Sequence, residues 1–182
     1  RNVFSSTLIL AAGFTVSEAM MEKATASVEW PGRLQKLSDG NLMASAPSGA
    51  EIWVDGGHNP GAGEVIAEAM ANFEEKQPRP LFLIIGMINT KDPIGYFNAF
   101  KGLAEKVYCV PIRGSDAMID PVILANAAYD AGLVAEPMST VGEALEAIRD
   151  TAFEREQPPR ILIGGSLYLV GDVLADNGTP PK

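Results

Sequence analysis

Apolar positions along this chain follow two periods. Leu81 to Met87, Lys106 to Ile112 and Arg160 to Ile163 are near-continuous apolar runs, the pattern of strands buried on both faces of a parallel sheet. Glu51 to Val54 is a shorter run of the same kind. Between them the spacing turns helical: Val65, Ile66, Ala69, Met70 and Phe73; then Ile94, Phe97 and Phe100; then Ala125, Ala128 and Tyr129; then Val141, Ala144, Leu145, Ile148 and Ala152. Asp92-Pro93 and Asp120-Pro121 each supply a capping side chain followed by a first-turn proline, and Thr140-Val-Gly-Glu143 is a capping box. Gly132 marks the end of the helix before it. At least four strand-then-helix units predict an α/β fold: a Rossmann-like, mostly parallel sheet with helices on both faces and right-handed crossovers.

The flanks read differently. Residues 1–30 hold two helical stretches, Thr7 to Ala12 and Ser17 to Ala24, without a strand signal, and are expected to be terminal helices and a linker from an upstream domain. Residues 31–175 form the expected α/β domain, and 176–182, polar with two prolines, a frayed tail. The chain opens with Arg1, and no targeting peptide is readable, so a piece of a longer protein is expected.

Charge narrows the partners. Fourteen Lys and Arg against 23 Asp and Glu give a formal charge of −9, which repels nucleic acid and anionic membrane surfaces at long range while leaving room for a local anion pocket. The longest strongly apolar stretches are far shorter than the roughly 20 residues of a membrane span. The single cysteine, Cys109, forms no internal disulfide, which favours a reducing cytoplasmic setting.

In a parallel sheet, ligands bind at the loops that leave the carboxyl ends of the strands. Here these are Asp55-Gly-Gly-His-Asn-Pro60, Gly86 to Asp92, Pro111 to Asp116 and Gly164-Gly165-Ser166. The first is the richest. Asp55 ends a strand, two glycines allow a tight turn, and His58-Asn59-Pro60 opens a helix whose free amides suit an anion. Asp55 suits ribose hydroxyls and His58 a phosphate; equally, both suit simple turn capping. Arg33, after the Trp30-Pro-Gly turn, offers a planar fork for phosphate, or else only a surface turn. Lys91 suits a carboxylate, or plain solvation beside a helix cap; Ser166 suits a ligand, or an N-cap. Gly61-Ala-Gly63-Glu-Val-Ile66 lacks the third glycine of a dinucleotide fingerprint, there is no Walker A segment, and one His with one Cys excludes a His/Cys metal cluster.

In combination these elements resemble a known family. Trp30-Pro-Gly-Arg-Leu-Gln35, Asp55-Gly-Gly-His-Asn-Pro60, Gly86-Met with Lys91-Asp92, and Gly164-Gly-Ser-Leu-Tyr-Leu-Val-Gly171 are similar, in order, to the C-terminal domain of folylpolyglutamate synthase / dihydrofolate synthase in the Mur-ligase superfamily of ATP-dependent amide ligases. Gly57 stands where the family usually has Ala, a small-for-small change. The resemblance implies a Mur-ligase C-terminal fold, with the P-loop, most Mg2+ ligands and much of the pterin site in an N-terminal domain that this chain lacks. It implies a ligase joining L-glutamate to a folate or dihydropteroate through an acyl phosphate made with ATP, inactive as this fragment alone. It places Arg33 on the transferred phosphate, Asp55 on the ribose, His58 on the nucleotide side of its turn, and Lys91 with Ser166 on the glutamate carboxylates. Asn2 would touch the adenine end of ATP, although Val3 departs from the usual Asn-Ala pair. No metal ligand is assigned within the chain. Two other readings stand beside this one: another Mur-type ligase of cell-wall synthesis, and a non-catalytic Rossmann-like ligand-binding module.

Overall fold

The wholly apolar runs become the middle of a sheet. The protein is described by a computed structural model covering residues 31–89, 91–155 and 157–180. The helices expected within 1–30, and Asn2, lie outside the described residues. Strand β1 (Gln35–Leu37) is followed by helix α1 (Asn41–Ser45), and five strand-helix pairs follow: β2 (Glu51–Asp55) with α2 (Pro60–Lys76), β3 (Leu81–Ile85) with α3 (Pro93–Asn98), β4 (Ala104–Cys109) with α4 (Pro121–Asp130), β5 (Ala135–Pro137) with α5 (Val141–Arg155), and β6 (Arg160–Gly164) with α6 (Leu167–Asp176). The sheet order is β1-β2-β6-β3-β4-β5, parallel except for β1, which pairs antiparallel with β2.

Helices cover both faces, as the mixed periods predict. On one face Ile66, Ala67 and Met70 of α2, Tyr96 and Phe97 of α3, and Leu124 and Ala128 of α4 pack on Leu83, Ile85, Val107 and Leu162. On the other, Ala144, Leu145 and Ile148 of α5 and Leu169, Val170 and Val173 of α6 pack on Ile52, Val54, Ile84 and Ile163. Every residue of β3 and β6 is buried.

The expected caps form. Asp92 accepts from Gly95 N at 2.9 Å, Asp120 from Val122 N at 2.8 Å, and Asn59 from Ala62 N at 2.9 Å. Thr140 accepts from Glu143 N at 3.1 Å, but Glu143 returns its carboxylate to Ser139 N rather than to Thr140. Gly132 takes a φ of 85°, and Leu133 N closes on Ala128 O at 3.0 Å, ending α4.

Three expectations change. Val65 is 67% exposed while Gly63 and Ala67 are buried, because α2 turns its smallest residues inward for a close approach to α3. Ile94 and Tyr129 likewise face outward, their helices burying Tyr96 and Leu124 instead. The C-terminal segment through 180 is tied down rather than frayed: Asn177 is buried, accepts from Leu42 N at 3.0 Å and donates to Asp39 O at 2.8 Å.

At the amino edge of the sheet Arg160, 2% exposed, meets Glu51 at 3.1 Å and Glu74 at 3.6 Å, donates to Gln77 O at 3.2 Å, and lies over the Phe73 ring. Lys36 binds the other oxygen of Glu51 at 2.8 Å. Burial alone would raise the Glu51 pKa, but hydrogen bonds and charge from Lys36 and Arg160 outweigh it and hold the carboxyl below its ordinary 4.5. A depressed folded-state value stabilises the fold fully above the unfolded value and is lost as pH falls through the folded one. Denaturant midpoints should therefore drop on acidification below pH 4.5, and this drop should shrink in Arg160→Ala, which itself should cost about 3–5 kcal/mol by leaving carboxylates without their buried partner.

Candidate functional site

Strand register gathers the loops. Asp55 pairs with Gly164, and Gly164 with Ile85, so β2, β6 and β3 end in one row. β4 follows, Ile85 pairing with Cys109. The loop after β6 leads to α6 on one face, while its neighbours after β2 and β3 lead to α2 and α3 on the other. Diverging loops of this kind open a crevice on the carboxyl edge. Because β1 runs antiparallel, with Gln35 opposite Val54, the Pro31-Gly-Arg33 turn that precedes it arrives at this same edge.

Asp55 ties the edge together. It is 6% exposed. Its Oδ1 accepts from Gly57 N at 2.6 Å and its Oδ2 from Leu34 N at 2.7 Å. Gly56 N in turn donates to Gly32 O at 2.8 Å, and Gly32 N to the Gln35 side chain at 3.0 Å. These bonds hold an unusual backbone: Gly32 has φ 73° and Leu34 φ 42°, a value that costs a leucine energy and persists only where the surroundings impose it. The capping reading of Asp55 is thus realised in full.

The turns present their side chains unequally. Arg33 is exposed and, among the described residues, has no hydrogen-bond or ion-pair partner, so its guanidinium stands ready for an anion. His58, half-buried, donates from Nδ1 to Gly56 O at 3.0 Å, which leaves Nε2 without a partner among the described residues. In α2, Asn59 caps Ala62 N, Asn59 O receives Gly63 N, and Pro60 has no amide proton, so Gly61 N is the donor of this first turn left open.

In the neighbouring loops Lys91 is half-exposed without a partner among the described residues, while Asp92 is occupied as a cap. Ser166 is 3% exposed, and its Oγ accepts from Tyr168 N at 3.1 Å, so it is the N-cap of α6 with one hydroxyl proton left to give. Leu167 and Tyr168 beside it are exposed. Among the described residues no three His, Cys, Asp or Glu side chains converge as metal ligands, and no helix is long and apolar enough to cross a membrane.

Comparison with known proteins fits this geometry. The profile of the family described as dihydrofolate synthetase, C-terminal domain, matches residues 40–176. The chain belongs to that family. It is 30% identical over 154 residues to the folylpolyglutamate synthase of Lacticaseibacillus casei, which covers 84% of this chain and 31% of that protein. It is similar in fold to Mycobacterium tuberculosis folylpolyglutamate synthase complexed with ADP and AMPPCP, with TM-score 0.76 and 22% identity over 96% of this chain and 38% of that one. The FolC protein of Escherichia coli, solved with DHPP and ADP, aligns with TM-score 0.67 and 25% identity over 92% of this chain and 36% of that one. The chain thus spans about a third of the length of these relatives.

Within this dihydrofolate synthetase C-terminal domain, Arg33, Asp55 and His58 belong to one hydrogen-bonded pair of turns, and Lys91 and Ser166 to the two loops next along the edge. Gly57 departs from the small-for-small expectation: an added Cβ would lie 2.7 Å from Ile66 Cδ1 and 2.9 Å from both Ala62 Cβ and Asp55 Oδ1, so alanine does not fit without movement. Leu34 belongs to the site through its backbone amide, which no side-chain pattern reveals. Replacing Asp55 by Asn should turn an amide NH2 toward Leu34 N or Gly57 N and remove a charge-assisted bond, costing about 1.5–3 kcal/mol in a thermal or denaturant melt.

Proposed function

We propose that this chain is the glutamate-binding, ATP-site-completing part of a longer ADP-forming ligase that adds L-glutamate to a folate or dihydropteroate. The observation that carries the reading is the Asp55 clamp, which sets Arg33 and His58 Nε2, both without a partner among the described residues, on the same carboxyl edge as Lys91 and Ser166. The names of the relatives support the folate reading over a cell-wall ligase, and the ADP in the FolC complex of Escherichia coli supports a nucleotide.

In this reaction the γ-phosphoryl group of ATP passes to a folate carboxylate, releasing ADP, and the glutamate amine then displaces phosphate from the acyl phosphate to form the amide. Catalysis of this kind is mostly positioning and neutralisation of phosphate charge. Arg33 meets the transferred phosphate with its fork. His58 and the open Gly61 amide serve the nucleotide side of the turn. Asp55 acts first as the clamp, and a ribose hydroxyl meets a lone pair that the two amides leave free. Lys91 and the remaining Ser166 proton hold the carboxylates of glutamate, and Asn2 is assigned to the adenine end. The Mg2+ ligands are assigned mostly to the remainder of the ligase.

In the full-length ligase Arg33→Ala should lower turnover by at least about 100-fold, with Lys at that position restoring only part of it. Wild-type turnover in the alanine variant would reduce Arg33 to a turn residue. Lys91→Ala and Ser166→Ala should each raise the KM for glutamate by roughly 10- to 100-fold while leaving that for ATP nearly unchanged. Ser166→Ala will also lower thermal stability by about 1 kcal/mol through its lost cap, so the KM for glutamate is the deciding readout. A KM within about twofold of wild type, far below that hydrogen-bond estimate, removes the residue from the glutamate site.

A further inference from the structure

The side chain of Gln35 closes the turn that presents Arg33. Gln35 is the first residue of β1, and its backbone lies in the ladder opposite Val54, so the side chain springs from a fixed base. It reaches back along the chain, and its Oε1 accepts from Gly32 N at 3.0 Å. The bond encloses two residues, Arg33 and Leu34.

This is a turn that needs holding. Gly32 has φ 73° and Leu34 φ 42°, both in the left-handed region. The two peptide groups that flank Arg33 are fixed from β2 and the loop after it: Gly32 O accepts from Gly56 N at 2.8 Å, and Leu34 N donates to Asp55 Oδ2 at 2.7 Å. Neither bond restrains the peptide that precedes Gly32. Glycine cannot restrain it either, having no side chain, and a larger residue is barred because a Cβ there would lie 2.9 Å from Val170 Cγ1 of α6. Gly32 is buried, and among the described residues its amide meets Gln35 alone. Arg33, by contrast, is exposed and without a partner among the described residues, so the direction in which its side chain leaves the edge is set by the turn.

We propose that Gln35 is a positioning residue for Arg33: by holding the Gly32 amide it fixes the turn, and with it the bond from which the guanidinium projects. An apolar residue of the same length would fill the space of Gln35 and leave a buried amide unmet. The positioning needs only this hydrogen bond; its consequence for catalysis rests on the phosphate reading of Arg33 above.

The test compares Gln35→Met, which keeps length and loses the acceptor, with Gln35→Glu, which keeps both. In the 182-residue chain, amide hydrogen exchange at Gly32 and at Leu34 should quicken about fivefold in Gln35→Met, roughly the loss of one hydrogen bond, while amides of β3 and β6 keep their rates. Gln35→Glu should keep both amides protected. Leu34 is the informative one, because it makes no bond to Gln35. Acceleration of Gly32 alone would overturn the proposal, and so would acceleration of all amides or failure of Gln35→Met to fold, which would make Gln35 a support of the sheet. In the full-length ligase Gln35→Met should lower kcat about tenfold, as expected for a displaced catalytic group, with KM for ATP and glutamate nearly unchanged and Gln35→Glu restoring most of the loss. The same substitution in an Arg33→Ala background should lower kcat no further, since the group it positions is gone. An equal loss in both backgrounds would overturn the proposal. If Leu34 responds while Gln35→Met and Arg33→Ala both leave kcat at wild type, the positioning stands and the phosphate assignment of Arg33 fails.

Discussion

One carboxylate governs the arrangement of this domain's carboxyl edge. Asp55 is the last residue of β2, nearly buried, and its two oxygens are committed to backbone amides far apart in sequence, that of Leu34, 21 positions before it, and that of Gly57, two positions after it. Backbone donors are fixed by the chain path, so the clamp orders whole turns rather than single side chains. The strained φ of Leu34 is tolerable because the bond to Asp55 and the Gly56-to-Gly32 bond impose it together. Arg33 and His58 owe their placement to this arrangement, each lying next to a clamped residue without being clamped itself.

The architecture was legible where burial is complete. Leu81–Ile85 and Arg160–Gly164 read as strands because residues apolar on both faces fit only a covered sheet, and Asp-Pro pairs announced helix starts because the chemistry of a cap is local. The edges were less legible. β1 and β5 have three residues each and include Lys36 and Glu136, so pairing with a neighbour, not side-chain pattern, makes them strands. Val65 read as core because its neighbours are apolar, yet the facing surface of α2 is set by where glycine and alanine permit close packing, which depends on α3.

The candidate site shows the same division. The glycine turn and its polar neighbours were visible as a cluster in sequence, and the parallel topology was enough to bring four loops to one edge. What each side chain does there depends on partners that sequence distance conceals. Asp55 turned inward, Ser166 became a cap, and Arg33 and Lys91 remained without partners among the described residues.

The strand that completes the sheet is also the last in sequence among the described strands. β2 and β3 do not pair with each other; both pair with β6, which joins them through five residues on each side. β2 and β3 thus have no strand to join them until β6 is added, and β6 ends more than 100 residues after β2 begins. Contacts of such long sequence separation form slowly, and without β6 the facing edges of β2 and β3 are unpaired. Insertion of β6 therefore completes the crevice: the loop bearing Ser166 and the closure of the gap between β2 and β3 come into being in the same event.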